Sequence, residues 1–293
     1  MADVAVVTDS TACLPDALVD SLGITVLPLY YDVGGGWVLE SEFDGDFRRF
    51  YAQLDASKSV ATTSPPTVED FVGVFGRLLQ QESAVVAVLL SSHFSETCSI
   101  ARQAAARLGS EGRGGDRVAV IDSAGTAGHM GVQAVAAARA AAAGEDASGV
   151  TAAARRARQE VMQWFVLDTL EYLRRSGRIG GAAAWIGSAL DLKPILMVGS
   201  EFTAVERVRT RRRAIERLVE LMRQRRAVGA DRWFVQHTDA HEDAKRLAER
   251  LAELFGIEPE FISELGPVCA RQVGPGLLSD GGLSGTALEG TYG

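Results

Sequence analysis

Residues 84–90, Ala-Val-Val-Ala-Val-Leu-Leu, form an unbroken apolar run that stops at two serines. A run of this length without polar alternation is typical of a parallel strand buried on both faces. A new helical pattern follows the serines, and the first N–H groups of a helix lack intrahelical partners and favour an anion. The turn is therefore a candidate anion-binding site, with Ser92 and Ser95 as donors. The alternative is that these serines only cap the helix, since Ser is common at helix starts.

Two further apolar stretches end in the same kind of turn. They are residues 4–7, which lead into Asp9 and Ser10, and residues 118–121, which lead into Asp122 and Ser123. Parallel strands place their carboxyl ends along one edge of an open sheet, where α/β folds bind ligands. The repetition favours a binding site over three unrelated caps.

The length of 293 residues exceeds what one small core needs. We expect two α/β domains, residues 1–160 and 161–293, because apolar strand patterns alternate with helical ones in both halves. The first domain is expected to have a mostly parallel sheet and the second a mixed sheet. In the second half, residue 268 is expected in a strand, and the glycine-rich tail after Ser279 is expected to be mobile.

Composition and cysteine content exclude several classes of protein. No apolar run approaches the roughly 20 residues of a membrane helix, and the N-terminus has no secretory signal pattern. The three cysteines are odd in number and lack CxxC spacing, as expected for reduced thiols. A net charge of -8 disfavours general nucleic-acid binding. We therefore expect a cytoplasmic protein with no membrane span, no metal site and no nucleic-acid partner.

Several segments resemble the DegV family in their sequence, their order and their spacing along the chain. The segments are VTDSTACLP, TTSPPT, SSHFSETCSIA, LEYLRRSGRIGGAAAWIGSALDLKPIL, RVRTRRRAIERL and the terminal VGPG. The resemblance implies two α/β domains with a long-chain fatty acid between them. It also implies that the bound fatty acid is presented to a fatty acid kinase subunit, which forms the acyl phosphate, while this chain catalyses nothing and needs no other cofactor.

The resemblance places the fatty-acid carboxylate at Thr63 and Ser92, within a cradle that also includes Ser95 and Gln272. The family's terminal motif is close to HxGPG, and its histidine lies near the carboxylate; here the position is Gln272. A Gln side chain can donate a hydrogen bond but cannot carry charge. Whether Gln272 or the neighbouring Arg271 takes the place of the histidine stays open.

A cluster of arginines is the candidate surface for the kinase, with Arg207 and Arg209 as its central residues. The cluster is Arg207, Arg209, Arg211, Arg212, Arg213 and Arg217. The alternative is a solvated helix face, because Arg is a good helix former on surfaces. Small residues at 180–184 and Gly187 are compatible either with an acyl tunnel or with close helix packing.

An enzyme is the rival hypothesis. Asp9, Asp122 and His93 could serve a metal-dependent phosphoesterase or another hydrolase, with Ser92 as a nucleophile. The turn SSHFS lacks the GxSxG pattern expected of a serine hydrolase at a strand-to-helix turn. Both aspartates also fit as turn and capping residues. We therefore expect a binding protein.

Overall fold

A computed structural model describes residues 3–56, 62–185 and 192–289. Its strands are β1 (Val4–Asp9), β2 (Thr25–Leu27), β3 (Tyr30–Asp32), β4 (Val38–Leu39), β5 (Thr62–Ser64), β6 (Ala84–Leu89), β7 (Val118–Asp122), β8 (Met162–Val166), β9 (Lys193–Met197), β10 (Thr203–Val208), β11 (Arg232–His237), β12 (Ile262–Glu264) and β13 (Leu278–Leu283).

The α-helices are α1 (Asp16–Leu22), α2 (Phe47–Ala56), α3 (Val68–Leu78), α4 (Thr97–Ser110), α5 (Ala127–Ala142), α6 (Ala147–Glu160), α7 (Glu171–Ser176), α8 (Arg211–Ala227), α9 (His241–Phe255), α10 (Pro267–Val273) and α11 (Gly285–Glu289). Among the residues that the structure describes, no helix is both long enough and apolar enough to cross a membrane.

The chain divides into two compact units. The first unit comprises residues 1–29, 64–160 and 285–293, and the second comprises residues 30–63 and 161–284. The expected contiguous domains, 1–160 and 161–293, share with these units only the division after Glu160. Composition indicates where a pattern changes along the chain, but it does not show that residues 30–63 pack with the later half.

The first unit is built on a parallel four-stranded sheet of order β2-β1-β6-β7. Every residue of β6 is buried, as the apolar run predicts. Helices α3 and α4 pack on one side through Phe71, Phe75 and Leu108. Helices α5 and α6 pack against each other and contact β6. Burial on both faces explains why β6 shows no polar alternation.

The second unit contains a mixed six-stranded sheet of order β10-β9-β8-β13-β11-β12. Only the β11–β12 pair is parallel; the neighbours from β10 to β11 pair in antiparallel fashion. Helices α8 and α9 supply Leu218, Met222 and Leu247 to the core on one face of this sheet. The expectation of two α/β domains, with a parallel and a mixed sheet respectively, is confirmed.

The glycine-rich stretch after Ser279 is a central strand, so the expectation of a mobile tail is wrong for β13. A Cβ atom at Gly281 would lie 2.3 Å from Cζ of Phe234, and one at Gly282 would lie 2.8 Å from Cε of Met222. The glycines are therefore needed because large neighbouring side chains fill the space above the strand. Both carboxylate oxygens of the fully buried Asp280 lack hydrogen-bond partners among the residues that the structure describes.

Residues 30–63 form the rest of the second unit, with a small sheet of order β4-β3-β5 and helix α2. Phe43, Phe47 and Phe50 pack edge to face within this segment. Helix α10 contacts α2 and β3, and the Val268 N–H donates to Oε1 of Glu40 at 2.8 Å. Residue 268 therefore lies in a helix that starts with Pro267, not in the expected strand.

Candidate ligand-binding site

The turn after β6 is held together by Ser91. The Ser91 N–H donates to the Gly125 carbonyl at 3.0 Å, and the Ser91 carbonyl accepts from the N–H groups of Phe94 and Ser95. The His93 N–H donates to the Ser91 hydroxyl oxygen at 3.3 Å. Helix α4 begins only at Thr97, so these N–H groups serve the turn and not the helix end. Side-chain hydroxyls are consequently the main donors that the turn can offer an anion.

Ser92 is exposed and lies beside Asp122, which ends β7. The Ser92 N–H donates to Oδ2 of Asp122 at 3.3 Å, and the Ala124 N–H donates to Oδ1 at 2.9 Å. Burial acts to raise the pKa of Asp122, but hydrogen bonds from Ser92 and Ala124 outweigh it and lower the pKa. Asp122 is therefore ionised at neutral pH. An anion that binds at Ser92 must share the hydrogen-bond donors of Ser92 with the Asp122 carboxylate.

Ser95 has a structural role at the start of α4. Its hydroxyl lies 2.8 Å from the Thr97 hydroxyl, and the Thr97 N–H donates to the Ser95 hydroxyl oxygen at 3.3 Å. This arrangement satisfies one of the unpaired donors of the first helical turn. The capping alternative from the sequence therefore describes Ser95 better than Ser92.

Asp9 joins the ends of two neighbouring strands. It is completely buried, and its carboxylate accepts from the N–H groups of Leu90 at 2.7 Å and Thr11 at 3.0 Å. The neighbouring Ser10 hydroxyl accepts from the Leu29 N–H at 3.0 Å. Burial raises the pKa of Asp9, and these hydrogen bonds oppose that effect. Both residues hold the sheet edge in place.

The hydrolase alternative is not favoured by this geometry. Asp9 is committed to backbone donors, Asp122 caps its own turn, and His93 is exposed. Across 3–56, 62–185 and 192–289, no group of three or more His, Cys, Asp or Glu side chains is arranged to hold a metal ion.

A buried polar cluster behind the third turn was not predicted from the sequence. The Gln133 amide nitrogen donates to the carbonyls of Ser123 at 3.0 Å and His129 at 2.8 Å. The Ser123 hydroxyl donates to the Gly125 carbonyl at 3.0 Å. Burial lowers the pKa of His129 to about 4, so the imidazole is neutral at pH 7. The sequence feature that could have indicated this cluster is Gln133, a single Gln in the alanine-rich pattern of α5.

Thr63 and Gln272 come together in the second unit. Nε2 of Gln272, on α10, lies 3.5 Å from the hydroxyl oxygen of Thr63, on β5. Oε1 of Gln272 is buried and has no hydrogen-bond partner in the described part of the chain. Turning the amide by 180° lets Oε1 accept from the Thr63 hydroxyl and leaves the NH2 group as a donor for a ligand. Thr63 and Gln272, two of the residues predicted to bind a carboxylate, therefore lie next to each other.

The VGPG loop after α10 is fixed by Thr238. The Thr238 hydroxyl donates to the Gly274 carbonyl at 2.6 Å, and the Gly276 N–H donates to the Thr238 carbonyl at 2.7 Å. Gly274 has φ +76°, and a Cβ atom there would lie 2.3 Å from the Tyr172 ring. Only glycine fits this position, so the loop holds the end of α10, and with it Gln272, in one place.

Arg271 precedes Gln272 on α10 and is 6% exposed. Its Nε atom has no hydrogen-bond partner within residues 3–56, 62–185 and 192–289. Burial lowers the pKa of Arg271 to about 10, and the charge of Arg178 acts in the same direction. The sequence predicts Arg271 only as an alternative to Gln272, and its burial is a property of the fold.

The comparisons with known proteins agree with this architecture. A family model described as "uncharacterised protein, DegV family" matches residues 3–281. The chain belongs to the DegV family. A DegV domain-containing protein of Streptomyces coelicolor is 36% identical over 278 residues, which cover 94% of this chain and 96% of the relative.

Two solved structures of DegV proteins are similar over nearly the whole chain. One is a DegV family protein from Thermus thermophilus described by its fatty-acid binding, with 30% identity and a TM-score of 0.85, covering 97% of this chain and 100% of that one. The other is DegV of Bacillus subtilis, described as a fatty acid binding protein, with 28% identity and a TM-score of 0.83, again covering 97% and 100%.

Most members of the arginine cluster in this DegV chain have acidic partners. Arg211 pairs with Asp243 at 2.7 Å and Arg213 with Glu216 at 3.1 Å. Arg212 pairs with Glu216 at 3.8 Å and Arg217 with Glu206 at 2.5 Å. The Arg207 guanidinium lies 5.1 Å from the centre of the Trp185 ring. Arg209 is exposed and makes no hydrogen bond or ion pair with the described residues.

The small residues before Trp185 form a 3-10 helix, Gly180–Trp185, that packs closely on the chain before β10. The Gly181 N–H donates to the Phe202 carbonyl at 3.0 Å, and a Cβ atom at Gly180 would lie 3.0 Å from that carbonyl oxygen. Close packing therefore explains Gly180. Gly187 lies outside the described residues.

Proposed function

We propose that this chain binds a long-chain fatty acid and holds its carboxylate with Thr63, Ser92 and Gln272, supported by Ser95. The observation that carries the proposal is the likeness of nearly the whole chain to DegV proteins described as fatty-acid-binding. The contact between Thr63 and Gln272 supports it, because a neutral hydroxyl and a neutral amide suit a monoanion. Arg271 is the alternative partner for the carboxylate.

The acyl chain supplies most of the affinity in this proposal. Burying each methylene contributes roughly 0.8 kcal/mol, so ten or more methylenes outweigh neutral hydrogen bonds worth about 1 kcal/mol each. The donors at the carboxylate then determine orientation and head-group preference more than overall affinity.

We further propose that the bound fatty acid is presented to a kinase subunit that forms the acyl phosphate, and that this chain contributes no catalytic group. Arg207 and Arg209 are the proposed docking residues. Arg209 is the better candidate, because its exposed charge is not neutralised by an acidic neighbour among the described residues. Surface charge of this kind increases association rates, most strongly at low salt.

The docking proposal predicts that Arg209→Ala leaves fatty-acid affinity unchanged and slows acyl-phosphate formation by a matching kinase subunit, most at low ionic strength. Arg213→Ala is the control, because Arg213 is already paired with Glu216. Loss of fatty-acid binding in Arg209→Ala, or equal slowing by both variants, contradicts a docking role.

Native mass spectrometry of the protein purified from cells tests the binding proposal. We expect a mass increment that matches a fatty acid and disappears on delipidation. The same increment should return when palmitate is added to the delipidated protein. A protein that carries no fatty acid as purified, and none after incubation with palmitate, contradicts the proposal.

A further inference from the structure

The VGPG loop, residues 273–276, is held from two sides within the second unit. On one side, the Thr238 hydroxyl donates to the Gly274 carbonyl and accepts from the Leu277 N–H at 2.9 Å. On the other side, Nη1 of Arg211 donates to the Gly276 carbonyl at 2.7 Å. Arg211 is the first residue of α8. A charged hydrogen bond therefore ties the loop that follows α10 to the start of α8.

The Arg211 guanidinium is fixed by a second contact. Its Nε donates to Oδ2 of Asp243 on α9 at 2.7 Å, and the two side chains are only 23% and 24% exposed. A planar guanidinium that is held by one arm has little freedom to turn the other arm away from its acceptor. Charge-assisted hydrogen bonds are also the stronger kind. The loop and the start of α8 are therefore expected to move together.

Close packing at Gly276 adds a second connection to the same region. Gly276 has φ +85°, and a Cβ atom there would clash with Oδ2 of Asp168. Asp168 pairs with Lys193 at 2.8 Å, and Lys193 lies opposite Val208, the last residue of β10. The loop is thus linked to the end of β10 as well as to the start of α8.

Arg209 lies in the two-residue connection between these two elements. Its partner in the connection, Thr210, caps α8 by accepting from the Arg213 N–H at 3.2 Å. Where β10 ends and α8 begins therefore determines where Arg209 is presented. Arg209 is the exposed side chain that we propose for docking the kinase subunit.

The other end of the VGPG loop leads to the proposed carboxylate donors. Gln272 lies on α10 directly before the loop, and the Gly274 N–H donates to the Ala270 carbonyl at 2.7 Å. A carboxylate held by Gln272 and Thr63 restrains the end of α10. Binding that restrains one segment also restrains the segments tied to it, and hydrogen exchange reports such a change.

We propose that Arg211 is a positioning residue that makes the docking surface sensitive to the occupancy of the carboxylate site. A bound fatty acid restrains the VGPG loop, and Arg211 transmits this restraint to the start of α8. The kinase subunit then docks on the loaded protein in preference to the empty one. Such coupling is reciprocal, so a docked partner strengthens fatty-acid binding by the same factor. The inference rests on the proposed function and adds how the partner distinguishes the loaded protein.

Hydrogen–deuterium exchange of the delipidated protein, with and without saturating palmitate, tests the inference. The reporting amides are Gly276 and Leu277 in the loop, which donate to Thr238, and Arg213 and Ala214 in α8, which donate to Thr210. In the wild type, palmitate should slow exchange at both places by at least about fivefold, the lower end of ordinary coupling between sites. In Arg211→Gln, the slowing should persist in the loop and disappear in α8.

Arg232→Gln is the matched control. Arg232 is 26% exposed and pairs with Glu260 at 3.3 Å, so the variant removes a comparable ion pair at the start of β11. Palmitate should slow both segments in this variant as in the wild type. An ion pair with a purely structural role changes exchange equally with and without palmitate, whereas the proposed role changes the effect of palmitate itself.

Arg211→Lys is a second variant, with circular dichroism as the check that both Arg211 variants fold. Lysine keeps the charge, but its donors lie on one atom, so it can approach Asp243 or the Gly276 carbonyl only at the expense of the other. The slowing in α8 should therefore be lost here too. The two variants differ in charge and share the loss of the fork.

The outcomes separate this inference from the proposed function. Calorimetry establishes whether palmitate binds the wild type. Palmitate that binds but does not slow exchange in α8 overturns the coupling and leaves fatty-acid binding intact. Slowing in α8 that persists in Arg211→Gln or Arg211→Lys, or that is lost equally in Arg232→Gln, overturns the role of Arg211. Absence of palmitate binding contradicts the proposed function and the inference together.

Discussion

Nε2 of Gln272 lies 3.5 Å from the hydroxyl oxygen of Thr63, although 209 positions of sequence separate the two residues. The contact joins α10 to β5 within the second unit. Neither side chain gains or loses a proton in the neutral range. A carboxylate held here meets donors whose strength does not depend on pH.

The first prediction is that fatty-acid affinity is nearly constant between about pH 6 and 8 in the wild type and acquires a slope in Gln272→His. An unperturbed histidine titrates near pH 6.5, and a bound carboxylate raises that value, so binding to the variant weakens as pH rises through it. A calorimetric pH series below the aggregation limit of the fatty acid measures both slopes.

His93→Ala is the control for this series, because His93 is exposed and adjacent in sequence to Ser92. A steep loss of affinity in the wild type that persists in His93→Ala contradicts the role given to Gln272. Arg271→Ala tests the remaining alternative, in which the Arg271 guanidinium binds the carboxylate. Such a site also gives an affinity that does not depend on pH. Arg271→Ala then weakens binding more than Gln272→Ala does.

The second prediction concerns the hydroxyls of Thr63 and Ser92, the two hydroxyl donors of the proposed carboxylate site. Thr63→Ala and Ser92→Ala should each weaken fatty-acid binding by about 1 kcal/mol, the net value of a neutral hydrogen bond. Their double variant should weaken it by less than the sum if both donors hold one carboxylate. Exact additivity, measured by calorimetry, contradicts a shared carboxylate.

The third prediction concerns Asp280, whose neighbours across the sheet are Val235 and Trp164. Burial raises the pKa of Asp280 well above its ordinary value, so the folded state favours the neutral acid and the unfolded state the anion. Its stability contribution is therefore complete below about pH 4 and is lost as pH rises through the raised pKa. Asp280→Asn should remove this loss.

Chemical denaturation between pH 5 and 8 measures the effect. The wild type should lose free energy of unfolding as pH rises, and Asp280→Asn should lose less. Asp280→Leu should raise the free energy of unfolding at pH 8 by about 1–3 kcal/mol, because an apolar side chain replaces an unpartnered carboxylate. The exposed Asp116→Asn is the control and should follow the wild type.

Sequence patterns located the strands of the first unit well, because a strand buried on both faces leaves a short apolar run that surface elements do not produce. The turn after β6 was also placed correctly. The start of α4 was not, since the backbone of Ser91 forms hydrogen bonds that delay the helix to Thr97. Local propensity does not show which N–H groups a turn will use.

In the second unit the sequence failed where side chains from distant positions determine the structure. The strand β13 contains Gly281 and Gly282, which normally indicate a loop, yet Phe234 and Met222 fill the space above them. Residues 30–63 carry an aromatic cluster, but only the fold shows that α10 packs against it. The burial of Arg271 is likewise not evident from the local sequence.

Titration of the delipidated protein with palmitate and with methyl palmitate tests the central claim most directly. The two ligands share the acyl chain and differ in the anionic head group. Palmitate should bind with one ligand per chain, and methyl palmitate should bind more weakly by about 1–3 kcal/mol, because the ester lacks the charged acceptor. Absence of palmitate binding, or equal binding of acid and ester, would contradict a fatty-acid site with donors for the carboxylate.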